Sequence, residues 1–170
     1  MTFAFRDMTI DDARAIAGWR YEPPYDFYNN EDDLQITGVP AGYVSTYTDG
    51  ELFGFVCIGL DARVPGCEQD GCYADEALDL GLGMRPDLTG RGYGQTFVQA
   101  CLDYAMERFM PTTMRLTVAT FNERAIRVYE RAGFVRGNRC LSPVRGVDVE
   151  FVVMRRQKAP AERESDAVSR

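Results

Sequence analysis

The chain lacks histidine altogether. Ser-His-Asp and Cys-His nucleophilic triads are therefore excluded, and imidazole cannot act as a general base. No apolar run is long enough to cross a bilayer, and the first residues lack a secretory signal pattern, so no membrane association is expected. A net positive charge is also missing. The formal charge is −7, which disfavours nucleic acid as a partner.

Cysteines are few and odd in number, five in all. Cys57, Cys101 and Cys140 lie in apolar segments, which predicts reduced thiols and a cytoplasmic location. Cys67 and Cys72 share a polar stretch without a nearby histidine, which is a poor zinc pattern. We therefore expect two incidental thiols in a surface loop and no metal.

The length of 170 residues suits one domain with a sizeable core. We assign residues 1–156 to that domain and expect residues 157–170, which are polar, to be a disordered tail. Strand and helix patterns alternate irregularly, with a hairpin predicted at Asp49-Gly50. The order predicts an α+β fold, with a mixed, mostly antiparallel central sheet and helices on both faces.

The most informative stretch joins a strand at residues 78–84 to a helical pattern that ends near Phe109. Between them, residues 89–94 read Thr-Gly-Arg-Gly-Tyr-Gly. Such a turn directs main-chain N–H groups to one point at a helix N-terminus, which suits a phosphate. It is not a Walker loop, because Gly94 is followed by Gln95 and not by lysine. The alternative is a tight connection that binds nothing.

A second stretch raises the weight of the binding interpretation. Residues 114–118 are predicted as a strand, followed by a helix at 122–132. Together the two stretches resemble the GNAT superfamily of acyl-CoA-dependent N-acyltransferases. In the first motif Gly92 and Gly94 match, while Thr89 replaces the usual Gln or Arg. The second motif is matched by Asn122, Ala125, Tyr129, Gly133 and Phe134.

This resemblance implies an acetyl-CoA-dependent N-acetyltransferase that acts on a primary amine by direct attack in a ternary complex. Acetyl-CoA is then the cosubstrate, and the acceptor could be a small amine or a protein N-terminus. A homodimer is compatible with the resemblance. The alternative function is a non-catalytic module that binds acyl-CoA as a sensor.

The resemblance also assigns residues to the cofactor. The expected cofactor-binding positions are Leu82, Gly83, Met84, Thr89, Gly90, Arg91, Gly92, Tyr93, Gly94, Gln95, Asn122 and Tyr129. Gly81 and Gly83 are expected to mark a close approach of the ligand to the strand. We expect Thr120 to cap the following helix, because it opens a T-x-x-E capping box, and Asn122 to remain available to the ligand.

Two residues are predicted to be catalytic. In the family, the tyrosine at the position of Tyr129 donates a proton to the departing thiolate, a role that its ordinary pKa near 10 permits. Asp79 is the candidate general base, since burial in the central strand would raise its pKa. The other candidates for the base are an ordered water and the acids Glu22, Asp26, Glu31 and Glu76.

The segment at residues 21–33 is rich in aromatic residues, prolines and acids, with no clean period. In the family, this region shapes the acceptor pocket, so Tyr25, Tyr28 and Glu31 are the predicted substrate-binding residues. The alternative is a packed loop with a solvated acidic end. Residues 61–75 are predicted to be a long polar loop that could lie over the acceptor site.

Overall fold

The computed structural model describes residues 1–30, 37–39 and 41–158. The predicted α+β architecture is confirmed: seven strands form one sheet in the order β1-β2-β3-β4-β5-β7-β6. The strands are β1 (Ala4–Asp7), β2 (Tyr43–Thr48), β3 (Glu51–Ile58), β4 (Leu78–Met84), β5 (Thr113–Ala119), β6 (Val135–Val144) and β7 (Val147–Gln157). The helices are α1 (Ile10–Ala17), α2 (Pro65–Gln69), α3 (Gly94–Phe109) and α4 (Glu123–Arg131).

Two helices cover one face of the sheet, which we call the helix face. α3 contributes a buried apolar stripe at the helical period, including Phe97, Cys101 and Leu102. These side chains pack with those of β4 and β5, such as Leu80 and Leu116, and with the inner side of α4. This cluster is the main core, and it fixes the start of α3 beside α4.

The other face, which we call the opposite face, carries α1 and α2. Thr9 and Asp12 form a capping box at the start of α1, and Asp12 also accepts hydrogen bonds from Ser45 and Tyr47 on β2. The aromatic ring of Trp19, just after α1, lies 6.2 Å from that of Phe55. These contacts dock α1 on the antiparallel half of the sheet.

The prediction of a polar surface loop at residues 61–75 was wrong. This part of the chain contains a 3-10 turn at Gly59–Ala62 and the short helix α2. Tyr73 is buried and its hydroxyl bonds both the Val64 amide and Thr117 on β5. The segment therefore packs on the opposite face of β5.

The predicted reduced state of all five thiols was also wrong. Cys67 of α2 and Cys140 of β6 form a disulfide with a Cα–Cα distance of 5.1 Å, and Cys67 and Cys72 are both buried. Cys57, Cys72 and Cys101 are free and buried. The disulfide joins positions 73 residues apart, so it ties α2 to the far edge of the sheet.

The carboxyl end of the domain extends slightly further than predicted. β7 continues to Gln157, and the Lys158 amide donates to the Thr112 carbonyl at 2.9 Å. The remainder of the expected disordered tail lies outside the described residues.

One irregularity in the sheet positions the candidate site. All neighbouring strands are antiparallel except β4 and β5, which run parallel. β4 and β5 pair only from Leu78 with Met114 to Leu80 with Leu116, whereas β4 stays paired with β3 up to Met84. Beyond Leu80 the two strands separate. We call the opening between their carboxyl-terminal halves the gap.

Candidate active site

Main-chain groups of β4 line one side of the gap. The Arg85 amide donates to Phe53 on β3, so the alternation along a strand turns the N–H and C=O of Gly83 to β3 as well. The corresponding groups of Leu82 and Met84 then point away from β3, toward the gap. Two of the predicted cofactor-binding residues therefore offer polar main-chain atoms where the strand has no neighbour.

The glycine-rich turn lies at the end of this strand, after a 3-10 turn at Pro86–Leu88. Gly90 and Gly92 have φ values of +74° and +86°, and a Cβ atom at either position would have no neighbour within 4 Å. Space is therefore open around both main chains. α3 begins at Gly94 without a side-chain cap, so its first N–H groups receive no side-chain acceptor. Such a helix start suits an anionic group.

Side chains of the turn divide between protein contacts and open positions. The Thr89 hydroxyl donates to the Pro86 carbonyl at 2.7 Å, and the Tyr93 ring packs 6.1 Å from that of Phe53. Arg91 is exposed. The side-chain oxygen of Gln95 is buried and has no hydrogen-bond partner in the described part of the chain. This buried oxygen is an acceptor without a described donor, and its residue lies in the first turn of α3.

Packing against β3 explains why two positions of β4 are glycine. A Cβ at Gly81 would lie 2.5 Å from the sulfur of Cys57, and one at Gly83 would lie 2.1 Å from the Phe55 ring. Both positions are therefore small because side chains of β3 fill the space on the opposite face. That these glycines also mark a ligand's close approach to the strand stays a prediction.

Tyr129 lies on α4 at the helix-face side of the gap. Its ring packs against Phe134, with centroids 6.2 Å apart, and against the main core. Burial raises the pKa of Tyr129 above its usual value near 10, so the phenol is protonated at neutral pH. Within residues 1–30, 37–39 and 41–158, no hydrogen-bond partner engages this hydroxyl. The proton is thus available to a bound molecule.

Asn122 is used differently from the prediction. Its side-chain oxygen accepts the Ala125 amide at 3.1 Å and so caps α4, whereas the Thr120 hydroxyl donates to the Glu150 carbonyl on β7. Its amide nitrogen donates to the Tyr28 hydroxyl at 3.1 Å. Both ends of the Asn122 amide therefore contact protein groups, and its predicted contact with the cofactor stays a prediction.

Residues 21–29, which we call the aromatic segment, lie over the opposite face of the gap. Tyr25–Tyr28 forms a 3-10 turn. The ring of Phe27 contacts those of Phe121, at 5.3 Å, and Phe151, at 6.3 Å. Tyr25 stacks under the Arg124 guanidinium at 4.0 Å. The predicted substrate residues Tyr25 and Tyr28 are therefore brought to the gap, while Glu31 lies outside the described residues.

Sequence reasoning missed Tyr21. Its hydroxyl donates to the Met84 carbonyl at 2.8 Å, and burial raises its pKa to about 12, which keeps it a donor. Tyr21 and Met84 are 63 residues apart in sequence. No local pattern distinguishes this tyrosine from its neighbours, so only the fold identifies it.

Asp79 is not placed to act as a base. It is buried, with 3% of its surface exposed, and Arg115 beside it on β5 is completely buried. Arg115 binds both carboxylate oxygens, at 2.6 and 3.0 Å, and Arg63 adds a bond of 2.7 Å. These three hydrogen bonds tie both carboxylate oxygens to arginine side chains, so the carboxylate is turned to the protein and not to the gap. We therefore withdraw Asp79 as the general base.

The other acids proposed as bases are not enclosed by the protein. Glu22, Asp26 and Glu76 are exposed side chains. In the part of the chain that the structure describes, no cluster of side chains could hold a metal ion. No described helix is long and apolar enough to cross a bilayer.

The fold and the site together define a class. A seven-stranded sheet that opens beside its one parallel pair, with a glycine-rich turn at the opening, is the architecture of acyl-CoA N-acyltransferases. The chain belongs to the Acetyltransferase (GNAT) family, whose model matches residues 6–134.

Individual relatives agree with this family. A mycothiol acetyltransferase of Streptomyces coelicolor is 36% identical over 98 residues, and one of Acidimicrobium ferrooxidans is 33% identical over 96. Each match covers 56% of this chain but only 28% of the relative. The chain therefore matches less than a third of the length of these relatives.

Solved structures show the same fold. The spermidine N-acetyltransferase of Vibrio cholerae in complex with CoA and spermine has a TM-score of 0.69 at 17% identity, covering 91% of this chain and 95% of that one. A chimeric spermidine N-acetyltransferase that contains the V. cholerae sequence has a TM-score of 0.65 at 19% identity, covering 99% of both chains.

Proposed function

We propose that this chain is an N-acetyltransferase that transfers the acetyl group of acetyl-CoA to a primary amine in a ternary complex. The observation that carries the proposal is the two-sided gap. On its helix face lie an uncapped helix start, an open glycine turn and an unpartnered phenol. On its opposite face lies the aromatic segment. The cofactor and the amine can then approach the same point from opposite faces.

The helix face fits acyl-CoA. The phosphates would lie against the main chain at Gly90 and Gly92 and the first N–H groups of α3, with Gln95 close by. The pantetheine arm would extend along β4, where Leu82 offers a main-chain donor and acceptor. Met84 offers its N–H, because its carbonyl is bonded by Tyr21. Acetyl-CoA supplies the activated acetyl group as a thioester. A main-chain N–H in the gap would stabilise charge on the thioester oxygen.

Two proton transfers accompany the reaction, one to the departing sulfur and one from the amine. As the amine nitrogen bonds to the acetyl carbon and the carbon–sulfur bond breaks, Tyr129 donates its proton to the departing sulfur. The amine must lose a proton. With Asp79 held by two arginines, we assign this step to water that enters from the opposite face. The exposed acids Glu22 and Asp26 remain the alternative.

A second function is kept open by this assignment. A module that binds acyl-CoA without turnover would need the same helix face and no base. The unpartnered phenol of Tyr129 favours the enzyme, because a sensor has no use for a proton donor at that point. The compounds in the relatives' names, mycothiol and spermidine, are not carried over to this chain. It covers only 28% of the mycothiol acetyltransferase and is only 17% identical to the spermidine N-acetyltransferase.

The proposal is tested by binding and by turnover. Millimolar acetyl-CoA should raise the melting temperature, because a ligand that binds only the folded state stabilises it. Release of CoA should then be screened across a panel of polyamines, amino acids, amino sugars and peptides. Binding with no CoA release for any amine would favour the sensor. No binding at all would contradict both functions.

A further inference from the structure

The aromatic segment is attached to both sides of the gap. On the β4 side, Tyr21 donates to the Met84 carbonyl, and on the α4 side, Tyr28 accepts a hydrogen bond from Asn122. The two phenol rings lie edge to face, with centroids 6.5 Å apart. The segment therefore spans the opening and does not lie along one edge of it.

The segment is also closed on itself. The Asn29 side chain accepts the Tyr21 amide at 2.7 Å and donates to the Tyr21 carbonyl at 3.3 Å. The Arg145 guanidinium donates to the Asn29 carbonyl from the β6–β7 turn. Closure by Asn29 fixes the distance between the two ends, so the bonds at Met84 and Asn122 hold a preformed loop to the two sides of the gap.

We propose that Tyr21, Tyr28 and Asn122 are positioning residues, which hold the aromatic segment across the gap as a wall of the acceptor site. This inference rests on the proposed function. It reassigns Asn122 from the cofactor to the amine: its oxygen caps α4 and its nitrogen fixes Tyr28. Asn122 thus couples the start of the helix that carries Tyr129 to the wall that faces the amine.

The proposal predicts that loss of this wall contact changes the KM for the amine but not the affinity for acetyl-CoA. Breaking the bond between Asn122 and Tyr28 leaves the glycine turn, the start of α3 and β4 untouched. Acetyl-CoA affinity should therefore remain within twofold of the parent. The wall loses one of its two hydrogen bonds to the sides of the gap, so the amine KM should rise by about 3- to 10-fold, the worth of one ordinary hydrogen bond.

Two substitutions break the same bond from opposite ends. Tyr28→Phe removes the acceptor hydroxyl, and Asn122→Ser removes the donor while a serine still caps the helix. Because both delete one interaction, the double variant should be no worse than either single variant. Asn122→Asp should keep the amine KM close to that of the parent, since a carboxylate caps α4 and can accept from the Tyr28 hydroxyl. Tyr104→Phe, which removes a phenol stacked on Phe5 away from the gap, is the matched control.

Hydrogen exchange supplies a readout that does not depend on turnover. Amides held within the segment, such as those of Tyr21 and Asn29, should exchange about 3- to 10-fold faster in Tyr28→Phe and Asn122→Ser, and those of α4 should not change. Unchanged exchange in both variants overturns the inference, whether or not an amine is turned over. Weaker acetyl-CoA binding with an unchanged amine KM would overturn it too, because Asn122 would then be a cofactor ligand.

Discussion

The two faces of the gap are built in different ways. On the helix face, the groups that would meet a ligand are left open by the protein: the main chain at Gly90 and Gly92 has free space, and the Tyr129 hydroxyl has no described partner. On the opposite face, the polar groups already bond each other: Tyr21 donates to the Met84 carbonyl, and Asn122 donates to the Tyr28 hydroxyl. The groups on the proposed cofactor side are thus left without protein partners in the described chain, whereas hydrogen bonds within the protein already fix the shape of the proposed acceptor side.

The largest effect should come from the helix face. Tyr129→Phe keeps the ring that packs on Phe134 and removes only the hydroxyl. Since that hydroxyl bonds nothing in the described chain, melting temperature and acetyl-CoA affinity should change little. Turnover should fall by about 10²- to 10⁴-fold if the phenol protonates the thiolate. Steady-state kinetics with a saturating amine measures this.

The same comparison supplies its control. Tyr104→Phe removes a phenol that stacks on Phe5 outside the gap, and should leave turnover unchanged. Equal rates for Tyr129→Phe and the parent would mean that Tyr129 is only a packing residue and that water protonates the sulfur.

A substitution in the glycine-rich turn should abolish acetyl-CoA binding. Gly92→Val introduces a branched side chain into the open space of the turn, so acetyl-CoA should no longer raise the melting temperature. The substitution also strains a backbone at positive φ, by about 1–3 kcal/mol. Gly59→Val carries the same strain, at φ +83° with open space, but lies in the 3-10 turn after β3. It should lose stability and keep the ligand-induced shift. Loss of the shift in both variants would contradict a local role for Gly92.

Asp79→Asn should affect stability and not chemistry. It breaks a bidentate pair with a fully buried arginine at the closed end of the gap, which should cost about 3–5 kcal/mol in the free energy of unfolding. Denaturant unfolding measures the loss. At a temperature where the variant is folded, turnover should stay within a few-fold of the parent. A variant that is stable but inactive would restore Asp79 as the base.

The predictability of the two faces differs for the same reason that their construction differs. The helix face is made from contiguous segments. The glycine turn, the start of α3 and the position of Tyr129 on α4 follow from local periodicity and motif spacing, and the predicted elements are present. Local signals of this kind can be read from one sequence.

The opposite face depends on contacts between distant segments. The bond of Tyr21 to Met84 and the disulfide between Cys67 and Cys140 each join positions more than 60 residues apart. The pairing of Asp79 with Arg115 follows from the register of β4 and β5. At the start of α4, both Thr120 and Asn122 are residue types that cap helices. The structure uses Asn122 as the cap and not the predicted Thr120. No single-sequence rule decides between them.

The central claim is that acetyl-CoA binds in the gap from the helix face. Amide chemical shifts recorded with and without saturating acetyl-CoA test it residue by residue. We expect the largest changes at Leu82, Met84 and residues 90–95, with small changes at β1 and in the β6–β7 turn. Changes concentrated away from the gap, with Leu82 and Met84 unaffected, would contradict it.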